Sequence, residues 1–135
     1  MKTVMVFGSF DLLHPGHLFF LKQAKKHGDK LVVVVALDRT IESVKQQTPK
    51  YNERERIEHV RDIKFVDKAI LGYEVDPYEI IEEINPDIIC LGYDQNSYSE
   101  NLKEELTRRQ MNPKIIRIGS YKEDQYKSSK LKELS

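Results

Sequence analysis

Val4-Met5-Val6-Phe7-Gly8-Ser9-Phe10-Asp11-Leu12-Leu13-His14-Pro15-Gly16-His17 decides how the rest of the chain is read. Four apolar residues run into a glycine, a polar turn follows, and two histidines bracket Pro15-Gly16 where a helical pattern begins. This order describes a first strand of an α/β sheet delivering a turn to a helix start. Gly8, at the strand end, lets a phosphate or nucleobase approach the backbone. Gly16 stands where helix N–H groups lack intrahelical partners and the helix dipole attracts anions. Pro15 has no N–H to lose in the first turn. His14 and His17, three residues apart, project to one side, and each can donate to a phosphate oxygen from Nε2 or carry charge. An incidental histidine pair, or a zinc site shared with Asp11, also fits these residues, but no further ligand cluster accompanies them.

Outward from this stretch the pattern alternates. Leu31 to Leu37 is an unbroken valine-rich run, as expected of a strand buried on both faces of a parallel sheet. Asp87 to Gly92 and Lys114 to Ile118 are further strands, and Asp67 to Gly72 a weaker fifth. Helical spacing fills the gaps. Gly16 to His27 places Leu18, Leu21 and Ala24 along one side, with Gly28 as a C-terminal stop. Asn52 caps a helix to about Arg61, with Glu55 as capping-box partner. Asp76-Pro77-Tyr78-Glu79 supplies a cap, a proline at the first helical position and a box glutamate before Ile80, Ile81 and Ile84. Ser97 to Glu100 repeats that logic before Leu102 and Leu106, and Ser128-Ser129 caps a last helix with Leu131 and Leu134. Arg39 to Tyr51 is polar and reads as an irregular, mobile loop. Alternating strands and helices predict a doubly wound parallel α/β domain with ligands at the carboxyl edge of the sheet.

The chain has 135 residues, with 22 basic and 22 acidic side chains, so one domain over 1–135 is expected and net charge implies no nucleic-acid partner. Cys90 is the only cysteine, which excludes an intramolecular disulfide. The amino-terminal apolar run is too short for a secretory leader and no run reaches membrane-spanning length. A cytoplasmic protein without a membrane partner is the expectation. Cys90, in an apolar strand, reads as a core residue rather than a nucleophile.

Gly8-Ser9-Phe10-Asp11 together with His14-Pro15-Gly16-His17 resembles the signature of the HxGH nucleotidyltransferases, in particular the cytidylyltransferase-like branch. The resemblance extends over nearly the full length. It implies a Rossmann-like doubly wound parallel five-stranded sheet with helices on both faces. It also implies transfer of a nucleoside monophosphate from an NTP to a phosphorylated acceptor, with release of pyrophosphate. Under it, Gly8, Ser9, Phe10, Asp11, His14, Gly16 and His17 bind the nucleotide, and His14, His17 and Lys45 serve catalysis at the triphosphate. No protein nucleophile is needed, because the acceptor's own phosphate attacks.

Leu91-Gly92-Tyr93-Asp94-Gln95 looks like the Leu-Gly-x-Asp-Gln of archaeal-type FAD synthases, which adds Gly92, Asp94 and Gln95 to the nucleotide site. Asp38, Arg56, Tyr121 and Lys122 fall at acceptor-binding positions, although Asp38 reads equally as a helix cap. The carboxyl-terminal stretch departs from the Arg-Thr-x-Gly-x-Ser-Thr of cytidylyltransferases. Tyr121-Lys122-Glu123-Asp124-Gln125-Tyr126-Lys127-Ser128-Ser129 keeps only the serines, and Ser128 and Ser129 are expected at the triphosphate. The leading expectation is ATP plus FMN giving FAD. The alternative is CTP-dependent transfer to glycerol-3-phosphate or a similar phosphorylated alcohol, and a nucleotide-binding module without turnover is the third reading. Mg²⁺ and a homodimer are implied by the family.

Overall fold

The computed structural model describes residues 1–45, 48–73, 76, 78–92 and 96–119. Five strands, β1 (Thr3–Gly8), β2 (Lys30–Val35), β3 (Lys68–Leu71), β4 (Ile88–Gly92) and β5 (Lys114–Ile118), form one sheet in the order β3-β2-β1-β4-β5. Every pairing is parallel. The helices are α1 (Pro15–Lys25), α2 (Asp38–Lys45), α3 (Glu53–Arg61), α4 (Glu79–Ile84) and α5 (Asn96–Arg108). Among the described residues no helix is long and apolar enough to cross a membrane.

The unbroken apolar runs resolve into two faces, because successive strand residues point oppositely. Val4, Val6, Ile88 and Cys90 pack with Leu21 and Ala24 of α1 and Ile57 and Val60 of α3. Met5, Phe7, Ile89 and Leu91 pack with Ile80 and Ile81 of α4 and Leu102 and Leu106 of α5. The chain moves from β1 outward through β2 to β3, then returns and moves the other way from β4 to β5. Right-handed crossovers in opposite directions put their helices on opposite faces. The reversal lies between β1 and β4, where the register covers only Val4↔Ile88 and Met5↔Ile89 although both strands continue to Gly8 and Gly92. Burial of Cys90 in the first layer pushes its thiol up to about 11, which fits a packing role.

Several local expectations change. The segment after β2 is not irregular throughout. Residues 38–45 form α2, with Asp38 in its first turn, Ile41 buried and the Leu37 carbonyl accepting from Ile41 N–H at 3.1 Å. Gly28 does not end α1 through a left-handed turn, since among the described residues no glycine has positive φ. Its task is close approach: a Cβ there would lie 2.6 Å from Val4 Cγ2 and 2.9 Å from the Lys2 carbonyl. Asn52 and Glu55 make the capping box as expected, at 2.9 and 3.2 Å. α4 begins two residues later than expected, at Glu79, so Asp76 is not its N-cap. Asp76 Oδ1 accepts from Tyr78 N–H at 3.0 Å, while Tyr78 occupies the α4 N-cap position without a side-chain cap bond. Ser97 lies inside α5 rather than at its cap.

Charged ties brace the periphery. Arg109 bridges Asp76 at 2.7 Å and Glu82 at 2.9 Å, and holds the Asp76 carboxyl below its ordinary range. Arg61 Nη2 donates to the Ala69 carbonyl on edge strand β3 at 3.3 Å. At the amino edge of the sheet Asp67 Oδ2 accepts from Lys25 Nζ at 2.5 Å and from Leu31 N–H at 2.7 Å. These donors, the Lys25 ammonium first, depress the Asp67 acid. Its contribution is therefore complete above the unfolded value of roughly 4 and is lost as pH falls through the lower folded value. The stability difference between wild type and Asp67→Asn, from urea unfolding at stepped pH, should shrink below about pH 4. Gly28→Ala should lower stability by about 1–3 kcal/mol in the same assay, because its Cβ meets backbone as well as Val4.

Candidate functional site

The site grows from the turn between β1 and α1. His14 has extended backbone and is the N-cap of α1, and its Nδ1 accepts from Gly16 N–H at 3.0 Å. Acceptance at Nδ1 leaves the proton of the neutral ring on Nε2, so exposed His14 carries a donor on its other nitrogen. The His17 ring stacks on it, with centroids 3.9 Å apart and planes 26° from parallel. Phe10 meets His17 edge-on at 5.5 Å and 68°.

Two features of the turn differ from the sequence expectation. The His14 carbonyl accepts from His17 N–H at 2.9 Å and from Leu18 N–H at 3.2 Å. With Gly16 N–H on the imidazole, the first-turn amides offered to an anion are engaged by His14. Attraction for phosphate then rests on imidazole N–H and the helix dipole. Gly8 likewise does not leave an empty approach, because the Phe10 ring occupies the space above it. A Cβ on Gly8 would lie 2.6 Å from Phe10 Cε2. Phe10 itself is 2% exposed and belongs to the core, so its ring does not meet a ligand from the surface.

Arg56 organises the carboxyl edge. It is fully buried at 0% exposure and is the only buried charged residue among the described ones. Its Nη1 donates to the Ser9 carbonyl at 2.9 Å and the Ala36 carbonyl at 2.7 Å. Nε donates to the Tyr51 carbonyl at 2.9 Å, and Nη2 to Asp38 Oδ1 at 2.6 Å. The arginine expected to meet an acceptor thus joins the ends of β1 and β2, the start of α2 and the segment entering α3. Asp38 is its counter-ion, remains 30% exposed at its side chain, and donates its N–H to Glu53 Oε1 at 2.9 Å. Asp11 is a second staple. Its carboxylate accepts from Lys50 N–H and Tyr51 N–H, both at 2.8 Å, fastening that segment over the β1–α1 turn.

Across the reversal, Gly92 ends β4 and its carbonyl accepts from Arg117 Nη1 at 2.6 Å. Sequence reading passed over Arg117, although a basic residue late in a strand beside the crevice was an available signal. Lys45 is the last residue of α2, and its side chain lies outside the described part. Asp94, Gln95, Tyr121, Lys122, Ser128 and Ser129 lie outside the described residues. Among the described residues no three His, Cys, Asp or Glu side chains form a metal cluster. Imidazole N–H donors suit phosphate oxygens.

A histidine pair at a helix start, beside the reversal of a parallel sheet, can offer N–H donors to an anionic ligand. The cytidylyltransferase-like family profile matches residues 5–134. The chain belongs to the cytidylyltransferase-like family. It is an enzyme of nucleotidyl transfer. The FAD synthase of Aciduliprofundum boonei is 46% identical over 121 residues, covering 90% of this chain and 80% of that protein. The FAD synthase of Methanosarcina barkeri is 46% identical over 123 residues, covering 91% and 87%. A crystal structure from Thermoplasma volcanium, described as a lipopolysaccharide core biosynthesis protein, superposes with a TM-score of 0.85. It is 43% identical, and the match covers 90% of this chain and 98% of that one.

Arg56→Met should cost about 3–5 kcal/mol by chemical denaturation, since removing the cation strands three carbonyls and Asp38 without a donor. Asp38→Asn keeps an acceptor for Nη2 and should cost less.

Proposed function

We propose that the protein is an FMN adenylyltransferase, converting ATP and FMN to FAD and pyrophosphate. The observation that carries this reading is the pair of FAD synthases, each 46% identical over about nine-tenths of the chain. The Leu91-Gly92-Tyr93-Asp94-Gln95 string adds to it.

In this reading the FMN phosphate oxygen attacks the α-phosphorus of ATP. A new oxygen–phosphorus bond forms, the bond to the β-phosphate bridging oxygen breaks, and pyrophosphate leaves. The chain's contribution is in-line placement and stabilisation of charge on the transferred and departing phosphates. His14, with Nδ1 bound to Gly16 N–H, offers Nε2–H to a phosphate oxygen. His17, stacked at 3.9 Å, adds a second imidazole at the same place. The dipole of α1 reinforces both. Lys45 is assigned to the triphosphate beside them, together with Ser128 and Ser129. Asp94 and Gln95 are assigned to the nucleotide beyond β4, and Tyr121 and Lys122 to the acceptor. A divalent cation arriving with the triphosphate would supply neutralisation of its charge, held by the phosphates rather than by a cage of the described side chains.

The CTP-dependent alternative is favoured by the match of the opening motif to cytidylyltransferases. One assay separates the two. Purified protein with Mg²⁺ receives ATP or CTP against FMN or glycerol-3-phosphate, and pyrophosphate release is followed. Release with ATP and FMN, and FAD as the chromatographed product, is expected. Release confined to CTP would sink the FAD reading, and silence with every pair would sink turnover. His17→Ala should lower kcat by more than about tenfold with the melting transition retained.

A further inference from the structure

We propose that Phe10 is a positioning residue for the histidine pair, acting through His17. This inference rests on the nucleotidyl-transfer reading only for its effect on rate. The geometry stands by itself. Phe10 is one of three non-glycine residues with positive φ among the described ones, at φ 50°. For a residue with a bulky side chain such backbone is strained, and it persists only when surroundings over-determine it.

Three contacts do so here. The Arg56 guanidinium holds the preceding Ser9 carbonyl at 2.9 Å. The ring is sunk in the core at 2% exposure, folded back over Gly8, where even a methyl group would intrude to 2.6 Å. The ring edge then meets His17 at 5.5 Å, and His17 stacks on His14 at 3.9 Å. The left-handed turn thus drives an aromatic ring from the core against the imidazole that shares a stack with the α1 cap. An aliphatic side chain fills the volume without offering an aromatic edge. The glycine at the strand end and the phenylalanine two residues on form one device, the first being small so that the second can stand beside the histidines.

The test uses the full chain. Phe10→Leu keeps the backbone strain and an apolar side chain but removes the ring. Its kcat for pyrophosphate release should fall by about tenfold or more, with KM for ATP and FMN changed by less than about threefold. Gly8→Ala, which pushes the ring, should lower kcat in the same way. In the double variant the loss should fall short of the product of the two single losses. A kcat for folded Phe10→Leu within about twofold of wild type overturns the proposal. Should that variant fail to fold, or wild type show no turnover, the carbon-bound proton resonances of His17 in the wild-type protein decide. A nuclear Overhauser effect between them and the Phe10 ring protons is expected, which the stack on His14 cannot supply, and its absence overturns the proposal. Absence of turnover would separately remove the nucleotidyl-transfer reading, which the resonances do not address.

Discussion

A guanidinium sealed from water is the constraint on which the carboxyl edge depends. Arg56 has four hydrogen bonds, three to carbonyls of Ser9, Ala36 and Tyr51 and one to the Asp38 carboxylate. Those carbonyls lie where β1, β2 and the approach to α3 run out of regular pairing, so each needs a donor that the sheet cannot give. A planar fork can serve several at fixed angles, which an ammonium on a flexible stem cannot. Burial of a charge is tolerated because every direction of the fork that the geometry uses ends on an oxygen.

From that anchor the histidine site acquires its shape. The Ser9 carbonyl is fixed, Phe10 turns left-handed, Asp11 fastens Lys50 and Tyr51, and the chain then enters α1 with His14 as its cap. Two of these steps, at Ser9 and Asp11, join a residue near the start of the chain to one around position 50. The first βα unit is therefore not self-sufficient, because the turn between its strand and helix is completed from α3 and the segment that enters it. The sheet supplies the other half of the placement. Reversal between β1 and β4 brings Gly92 and Arg117 to the same edge, opposite the turn that carries the imidazoles.

Periodicity along the chain was enough to find five strands and the capping box at Asn52, since those depend on neighbours a few residues away. The opening motif was found otherwise, from its residue types in order and their resemblance to a family signature. Periodicity failed where the deciding partner is distant. Arg56 sits in a buried stripe with Ile57 and Val60, yet a charged residue there reads as solvent- or ligand-facing until Ser9, forty-seven residues earlier, is seen to meet it. α2 was missed because Ile41 is a thin apolar signal in a polar segment. Gly8 and Gly28 were recognisable as positions needing glycine, but what presses on them, the Phe10 ring on one and the Val4 side chain and Lys2 carbonyl on the other, is a tertiary fact. The acceptor side of the site was legible mainly through resemblance, and much of it falls beyond the described residues.

The bond from Arg61 to the Ala69 carbonyl has a consequence for the protein's behaviour in concentrated solution. β3 is a short outer strand, and an outer strand offers unpaired backbone to any extended peptide that drifts against it. Here the cation of the preceding helix holds one of those carbonyls, and Lys68, exposed at the strand's start, adds a charge that a dry intermolecular ladder would have to desolvate. The sheet therefore stops at β3 for a chemical reason as well as a topological one, and recruitment of foreign strands is discouraged on the flank away from the histidines.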